Sequence, residues 1–232
     1  MVTVIKLLRF LAKLVVVLGI PMSAMAAESL LVFYPTLIPS AERQALLKGK
    51  IPGFDITVFD KYKDFELNMK INPEHVIVFH GADVPQDYKL IAKLKDLSGS
   101  GQTELKVFSL DPAMKLTEDT KLGMVTVTDR KEQKKFANDI VGVPVKAVKG
   151  VTKLEDLVPQ LVLKNVDAIL MSVANLEEVK GKFDTPLHEI GINKKVDPIR
   201  LLSRGGDSAK LKGALQALSG DDLKGLGLKG VE

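Results

Sequence analysis

Short apolar runs rich in β-branched residues recur along this chain, and most are followed by a segment of helical period. No other feature constrains the fold as tightly. Leu30–Tyr34 (LLVFY), His75–Phe79 (HVIVF), Gly123–Val127 (GMVTV) and Asp167–Met171 (DAILM) are nearly continuous in hydrophobicity rather than alternating. Strands that read this way are covered on both faces, as in parallel sheets whose strands are linked by helices. The order of the segments therefore predicts an α/β fold built on mostly parallel sheet.

Local signals punctuate the pattern. Pro35 ends the first run, Ser40–Leu47 reads as a short helix, and Asp55–Phe59 (DITVF) reads as a second strand. Asp64–Ile71 is helical in period and stops at Asn72-Pro73. Tyr88–Leu94 and Leu105–Leu110 flank the turn Ser98-Gly99-Ser100-Gly101 and read as two strands of an antiparallel excursion. The clearest helix spans Arg130–Val141, with Asp129 at its N-cap, Glu132 at N3 and Gly142 just past its end. Val143–Val148 is a further strand candidate. Thr152 and Glu155 form a capping box before a helix that Pro159 must kink or stop, and Asn175 with Glu178 caps another. Ile199–Leu202 is a short apolar run, and Ser208–Leu218 a terminal helix. Two rounds of strand–helix–strand result. They predict one lobe over residues 27–112, a second over 113–195, and a tail, 196–232, that returns to the first.

Residues 1–26 read as a secretory signal peptide. Lys6, Arg9 and Lys13 give the basic start, Leu14–Ile20 the apolar run, and Ala24-Met25-Ala26 the small-x-small cleavage pattern near Ala26. The uncharged stretch from Leu14 to Ala27 is shorter than the roughly 20 residues a spanning helix needs, and Gly19 and Pro21 interrupt it. Cleavage, a periplasmic location and no stable membrane insertion afterwards are the expectation. Without Lys6, Arg9 and Lys13 the 33 basic residues become 30 against 29 acidic ones, so the balance gives no reason to expect nucleic acid as a partner. The chain has no cysteine, which excludes thiol nucleophiles and thiolate metal sites.

Four stretches carry a resemblance. They are Val32-Phe33-Tyr34-Pro35; Tyr88-Lys89-Leu90-Ile91-Ala92 with Leu105-Lys106-Val107-Phe108 after a Gly-rich turn; Leu122-Gly123-Met124-Val125 with the box Val151 to Leu157; and Leu215-Gln216-Ala217-Leu218 followed by Leu226 to Gly230. In order and spacing the sequence resembles type II periplasmic substrate-binding proteins, in particular the phosphate/phosphonate-type solute receptors of ABC transporters. The resemblance implies a two-lobed periplasmic-binding-protein-like fold, each lobe a mostly parallel sheet flanked by helices. It also implies a ligand cleft, a hinge of crossing strands and an inner-membrane permease as partner. Where phosphonate-binding members carry a Ser/Thr-rich, Gly-containing turn, this chain reads Thr128-Asp129-Arg130.

In open α/β sheets ligands sit beyond the carboxyl ends of strands. That rule selects Tyr34 and Thr36 after the first run, His80 and Gly81 after the third, Thr128, Asp129 and Arg130 after GMVTV, and Ser172 after DAILM. Asp129 and Asn175 also have a plain role as helix caps, and that role is favoured. His75 and His80 stand at odd spacing on one strand, facing opposite ways, so no metal site is expected. Lys131, Lys134 and Lys135 read as a solvated helix face. Gly225 to Gly230 matches G-x-G-x-x-G, but a helix precedes it and no helix follows, so it is not a dinucleotide site. No nucleophile elbow, zinc helix or phosphate loop is present.

The expected function is non-enzymatic and cofactor-free: capture of a small molecule between two lobes for an ABC-type importer, its identity open and an oxyanion the class that the resemblance implies. Leu105–Pro112 and Val196–Leu202 would bend as the hinge. The alternative is a binding-protein-like sensor or accessory subunit of a periplasmic or membrane complex.

Overall fold

The computed structural model describes residues 27–232, and of residues 192–193 the backbone alone. The expected signal peptide lies outside the described residues. Two sheets organise the chain. The first contains β1 (Glu28–Phe33), β2 (Phe54–Phe59), β3 (His75–Val78), β4 (Lys89–Asp96), β10 (Ile199–Ser203) and β11 (Leu228–Val231), in the order β11-β4-β10-β3-β1-β2. The second contains β5 (Thr103–Ser109), β6 (Lys121–Val125), β7 (Ala147–Val151), β8 (Ala168–Ser172) and β9 (His188–Val196), in the order β7-β6-β8-β5-β9. This is the α/β fold of two sheets flanked by helices that the apolar runs predict.

The sheets are mixed rather than mostly parallel. β1 pairs parallel with β2 and β3, and β6 with β7 and β8. Every pairing made by β5, β10 or β11 is antiparallel. The parallel pairs are those linked by helical crossovers, which parallel strands require. The chain passes between the sheets from β4 to β5 and from β9 to β10, and β11 closes the edge of the first sheet against β4.

Helices α1 (Ser40–Lys50) and α2 (Tyr62–Met69) join the parallel strands of the first lobe. In the second lobe α3 (Arg130–Val141) joins β6 to β7, and α4 (Leu157–Val162) joins β7 to β8. The short α5 (Val173–Val179) leads from β8 toward β9. Near the end of the described chain, α6 (Ser208–Gln216) and α7 (Gly220–Gly225) precede β11. Leu30–Phe33 is buried at every position because both faces of β1 are covered. Phe65 packs beneath it with ring centroids 5.6 Å from Phe33 and 6.1 Å from Phe59.

Several expectations need correction. β4 and β5 are not hairpin partners: β4 pairs with β10 and β11, β5 with β8 and β9. The polar turn between them is a crossing, fastened by buried Asp96, which accepts hydrogen bonds from Ser98 N and Thr103 Oγ1. Thr103–Ser109 therefore lies in the second sheet, and the return crossing is the two-residue link 197–198. The strand after α3 is Ala147–Val151 instead of Val143–Val148, and the charged segment His188–Val196 is a strand that its polarity conceals. The box at Thr152 uses Asp156, which accepts from Thr152 Oγ1 and Lys153 N, rather than Glu155.

Candidate functional site

The lobes meet at their strand ends and are closed on one another. At the centre of the contact Pro35 and Phe79 of the first lobe face Leu105, Met124, Val127, Phe136 and Leu170 of the second, leaving only about 20 Å³. Phe79, Leu105, Met124, Val127 and Leu170 belong to one hydrophobic cluster that runs through both lobes. Burial of this surface holds the lobes together without direction. Direction comes from polar groups at the two mouths of the cleft.

The first mouth is built on the loop after β1. Ile38 N donates to Thr36 Oγ1 at 3.3 Å, which leaves the hydroxyl hydrogen free to point across the cleft. It donates to Glu178 Oε2 of α5 at 2.8 Å, and the Leu37 amide donates to the same oxygen at 2.6 Å. Asn175, one turn earlier, gives its Nδ2 to Pro35 O at 3.0 Å and to Glu178 Oε1 at 3.3 Å. Behind the loop lies Arg43, 1% exposed, over the Tyr34 ring and paired with Asp60 at 3.3 Å. A cavity of about 80 Å³ adjoins these groups, lined from the first lobe by Tyr34–Pro39 and Arg43 and from the second by Thr152–Glu155. Burial pushes the Glu178 carboxyl above its ordinary value, against the Leu37, Thr36 and Asn175 hydrogen bonds that favour the charged form.

The second mouth collects His80, Gly81 and Asp83 with Thr128, Glu132, Lys135, Asp139 and Arg200, around an open groove of about 540 Å³. Desolvation, with Arg200 nearby, lowers the His80 pKa and so favours the uncharged ring. Gly81 has φ +88°, and a Cβ there would stand 2.8 Å from Phe136 Cε2 of the opposite lobe. Gly81→Ala is therefore expected to cost about 1–2 kcal/mol in backbone strain and to wedge the mouth open. Urea denaturation and small-angle scattering measure the two effects. An alanine variant as stable and compact as the parent would contradict the contact.

Of the eight residues selected from sequence, the structure brings Tyr34 and Thr36 to the first mouth and His80, Gly81 and Thr128 to the second. Tyr34 contributes backbone and ring face, since its hydroxyl is spent on Leu226 O at 2.5 Å. The other three lie away from the two mouths, Ser172 at the apolar centre between the lobes. Asp129 caps α3, accepting from Lys131 N and Glu132 N at 2.7 and 2.9 Å. Arg130 faces a separate groove on the second lobe with Lys121 and Lys149. Ser172 caps α5 by accepting from Asn175 N at 3.0 Å. The cap assigned to Asn175 and Glu178 thus belongs to Ser172, and that substitution frees both side chains to reach the first lobe. Leu37, Arg43 and Glu178 were not selected from sequence, and Asn175, which the strand-end rule also reaches, reads there as a cap. A Ser at the strand end able to cap α5 was the available signal. Among the described residues no group of three His, Asp or Glu side chains is placed to hold a metal ion, and no helix is long and apolar enough to cross a membrane.

No protein-family model matches the sequence, and no curated protein matches it. Solved structures do. A Xanthomonas citri protein bound to ATP superposes with TM-score 0.65 at 11% identity, covering 88% of this chain and 90% of that one. A binding protein component of an ABC phosphonate transporter from Pseudomonas aeruginosa gives TM-score 0.59 at 12% identity, over 88% and 80%. A periplasmic His/Glu/Gln/Arg/opine family-binding protein from Silicibacter pomeroyi, in complex with lysine, gives 0.55 at 11% identity, over 81% and 88%. At these identities the likeness establishes architecture: the chain has the two-lobed α/β fold of periplasmic solute-binding proteins.

Proposed function

We propose that this protein is a non-enzymatic periplasmic solute-binding protein that captures a small oxyanion-bearing solute between its lobes and presents it to an ABC-type permease. The observation that carries this reading is the first mouth. There a backbone amide and a hydroxyl of one lobe converge on a carboxylate oxygen from the other, with Arg43 behind them. Amide and hydroxyl donors of this kind suit an oxyanion, and a charge-assisted hydrogen bond is roughly twice as strong as a neutral one. The structurally similar proteins bind ATP and lysine or serve phosphonate transport, so they support solute capture and leave the solute to be found.

The test is a thermal-shift screen of phosphate, phosphonates, short carboxylates, amino acids and nucleotides, followed by calorimetry. One class of anion is expected to raise the melting temperature, and Thr36→Val to abolish the shift. A screen in which no solute stabilises the protein would remove this reading. It would favour the second one, a sensor or accessory subunit. The apolar, already closed centre of the cleft supports that alternative, and it predicts a stable protein partner in periplasmic extract.

A further inference from the structure

We infer that the Thr36–Leu37 pair is an oxyanion seat whose resident occupant is the chain's own Glu178, so that a solute enters by displacing this carboxylate with one of its own or a related oxyanion. This assignment builds on the cleft-capture reading and adds the seat of the solute's anion and the identity of its internal competitor.

Three observations lead there. First, away from the crossing segments, the hydrogen bonds that pass between lobes among the described residues are three: two end on Glu178 Oε2, and the third is Asn175 to Pro35 O. The polar part of closure therefore depends on one carboxylate and its neighbour. Second, Glu178 has no local duty that would place it there. Ser172 already caps α5, and the basic residue next along the helix, Lys180, pairs with Glu177 instead. Third, the seat opens onto a cavity bounded by Arg43, Asp60, Thr152, Lys153 and Glu155; its two basic groups are paired with Asp60 and Glu155, so it offers polar groups and space, rather than net positive charge, for the rest of a small anion.

The occupant is held under strain of a specific kind. Burial raises the Glu178 pKa even though three hydrogen bonds and Arg43 oppose the rise. Desolvation of the carboxylate thus outweighs the donors it has gained. A solute whose own anion meets the same donors, and whose remaining atoms also fill the adjoining cavity, can replace it. Glu178 then swings to the surface and recovers its water.

The experiment uses purified wild-type protein, Glu178→Ala, Thr36→Val and the double variant, with acetate, formate and inorganic phosphate as probes. Small-angle scattering reads closure, and melting temperature reads occupancy. Wild type without additive is expected to scatter as a closed particle. Glu178→Ala is expected to expand, to melt lower and to close again when acetate or formate is added. Loss of the competitor should tighten anion binding by on the order of 10–100-fold, the worth of a hydrogen bond to a charged group. Thr36→Val should open the protein and leave it unresponsive, alone or combined with Glu178→Ala, so the outcome does not depend on one variant folding well. A Glu178→Ala protein that stays closed, or that opens and ignores all three anions, overturns the assignment. If such a protein still binds a solute found in the wild-type screen with unchanged affinity, cleft capture stands and only the internal occupant falls. If the anions close Glu178→Ala while no solute engages wild type, the seat stands and solute capture falls.

Discussion

Phe65→Ala is expected to lower the unfolding free energy by about 3–5 kcal/mol, the range for removing a buried phenylalanine. Phe65 is fully buried and lies against Phe33, Phe59 and Tyr62, with centroids 5.6, 6.1 and 6.4 Å away. These rings come from β1, β2 and α2, so the substitution opens a cavity at the junction of three elements. None of the neighbours can close it alone. Rings already locked by their partners in a close-packed interior relax little, which places the cost in the upper part of the range. Urea denaturation followed by circular dichroism measures it. A loss below about 1.5 kcal/mol, the scale of a mere volume-conserving swap, would show that the cluster repacks freely.

The second large effect concerns charge. Asp60→Ala is expected to cost about 2–4 kcal/mol, somewhat under the 3–5 of a fully buried pair because Asp60 is one-third exposed. The carboxylate serves two groups at once. It accepts from Arg43 Nη2 at 3.3 Å and from Ser40 N and Oγ at 3.0 and 2.7 Å. Pro39, which precedes α1, offers no side-chain cap, so Asp60 supplies that cap from the end of β2. Its loss uncaps α1 and leaves a guanidinium, 1% exposed, without a counter-ion. The double variant Arg43→Leu with Asp60→Ala should recover part of the loss, because the stranded charge is then gone. If the double variant is less stable than the sum of the two singles, Arg43 contributes through packing on Tyr34 and not as an ion.

What could be read from sequence was local. Asp129, Glu132 and Gly142 mark α3 to the residue, because a cap needs only its own turn. Pairing is not local. The turn Ser98 to Gly101 looks the same whether the flanking strands fold back on each other or part into different sheets, and here they part. The edge strand His188–Val196 carries three lysine or glutamate charges between its apolar residues and offers no continuous run to read. The candidate site divides along the same line. Thr36, His80 and Thr128 follow from the rule that strand ends face the cleft. Glu178 does not, and Asn175, which the rule also reaches, reads as a cap instead, because Ser172 and Asn175 are equally good caps on paper. Only the strand's end at Ser172 decides which of them is left over.

On the cleft-capture reading proposed above, the apolar centre shared by the lobes also sets how quickly the protein can load. Parting the lobes would bare Phe79, Met124, Val127 and Phe136 to water, so the receptive form is a minor species. Apparent affinity is then scaled down by the receptive fraction. Arrival of solute waits on spontaneous gaping of the jaws, and departure waits on the same event. Exchange in both directions is then expected to be slow, and a bound solute would stay until something else pulls the halves apart.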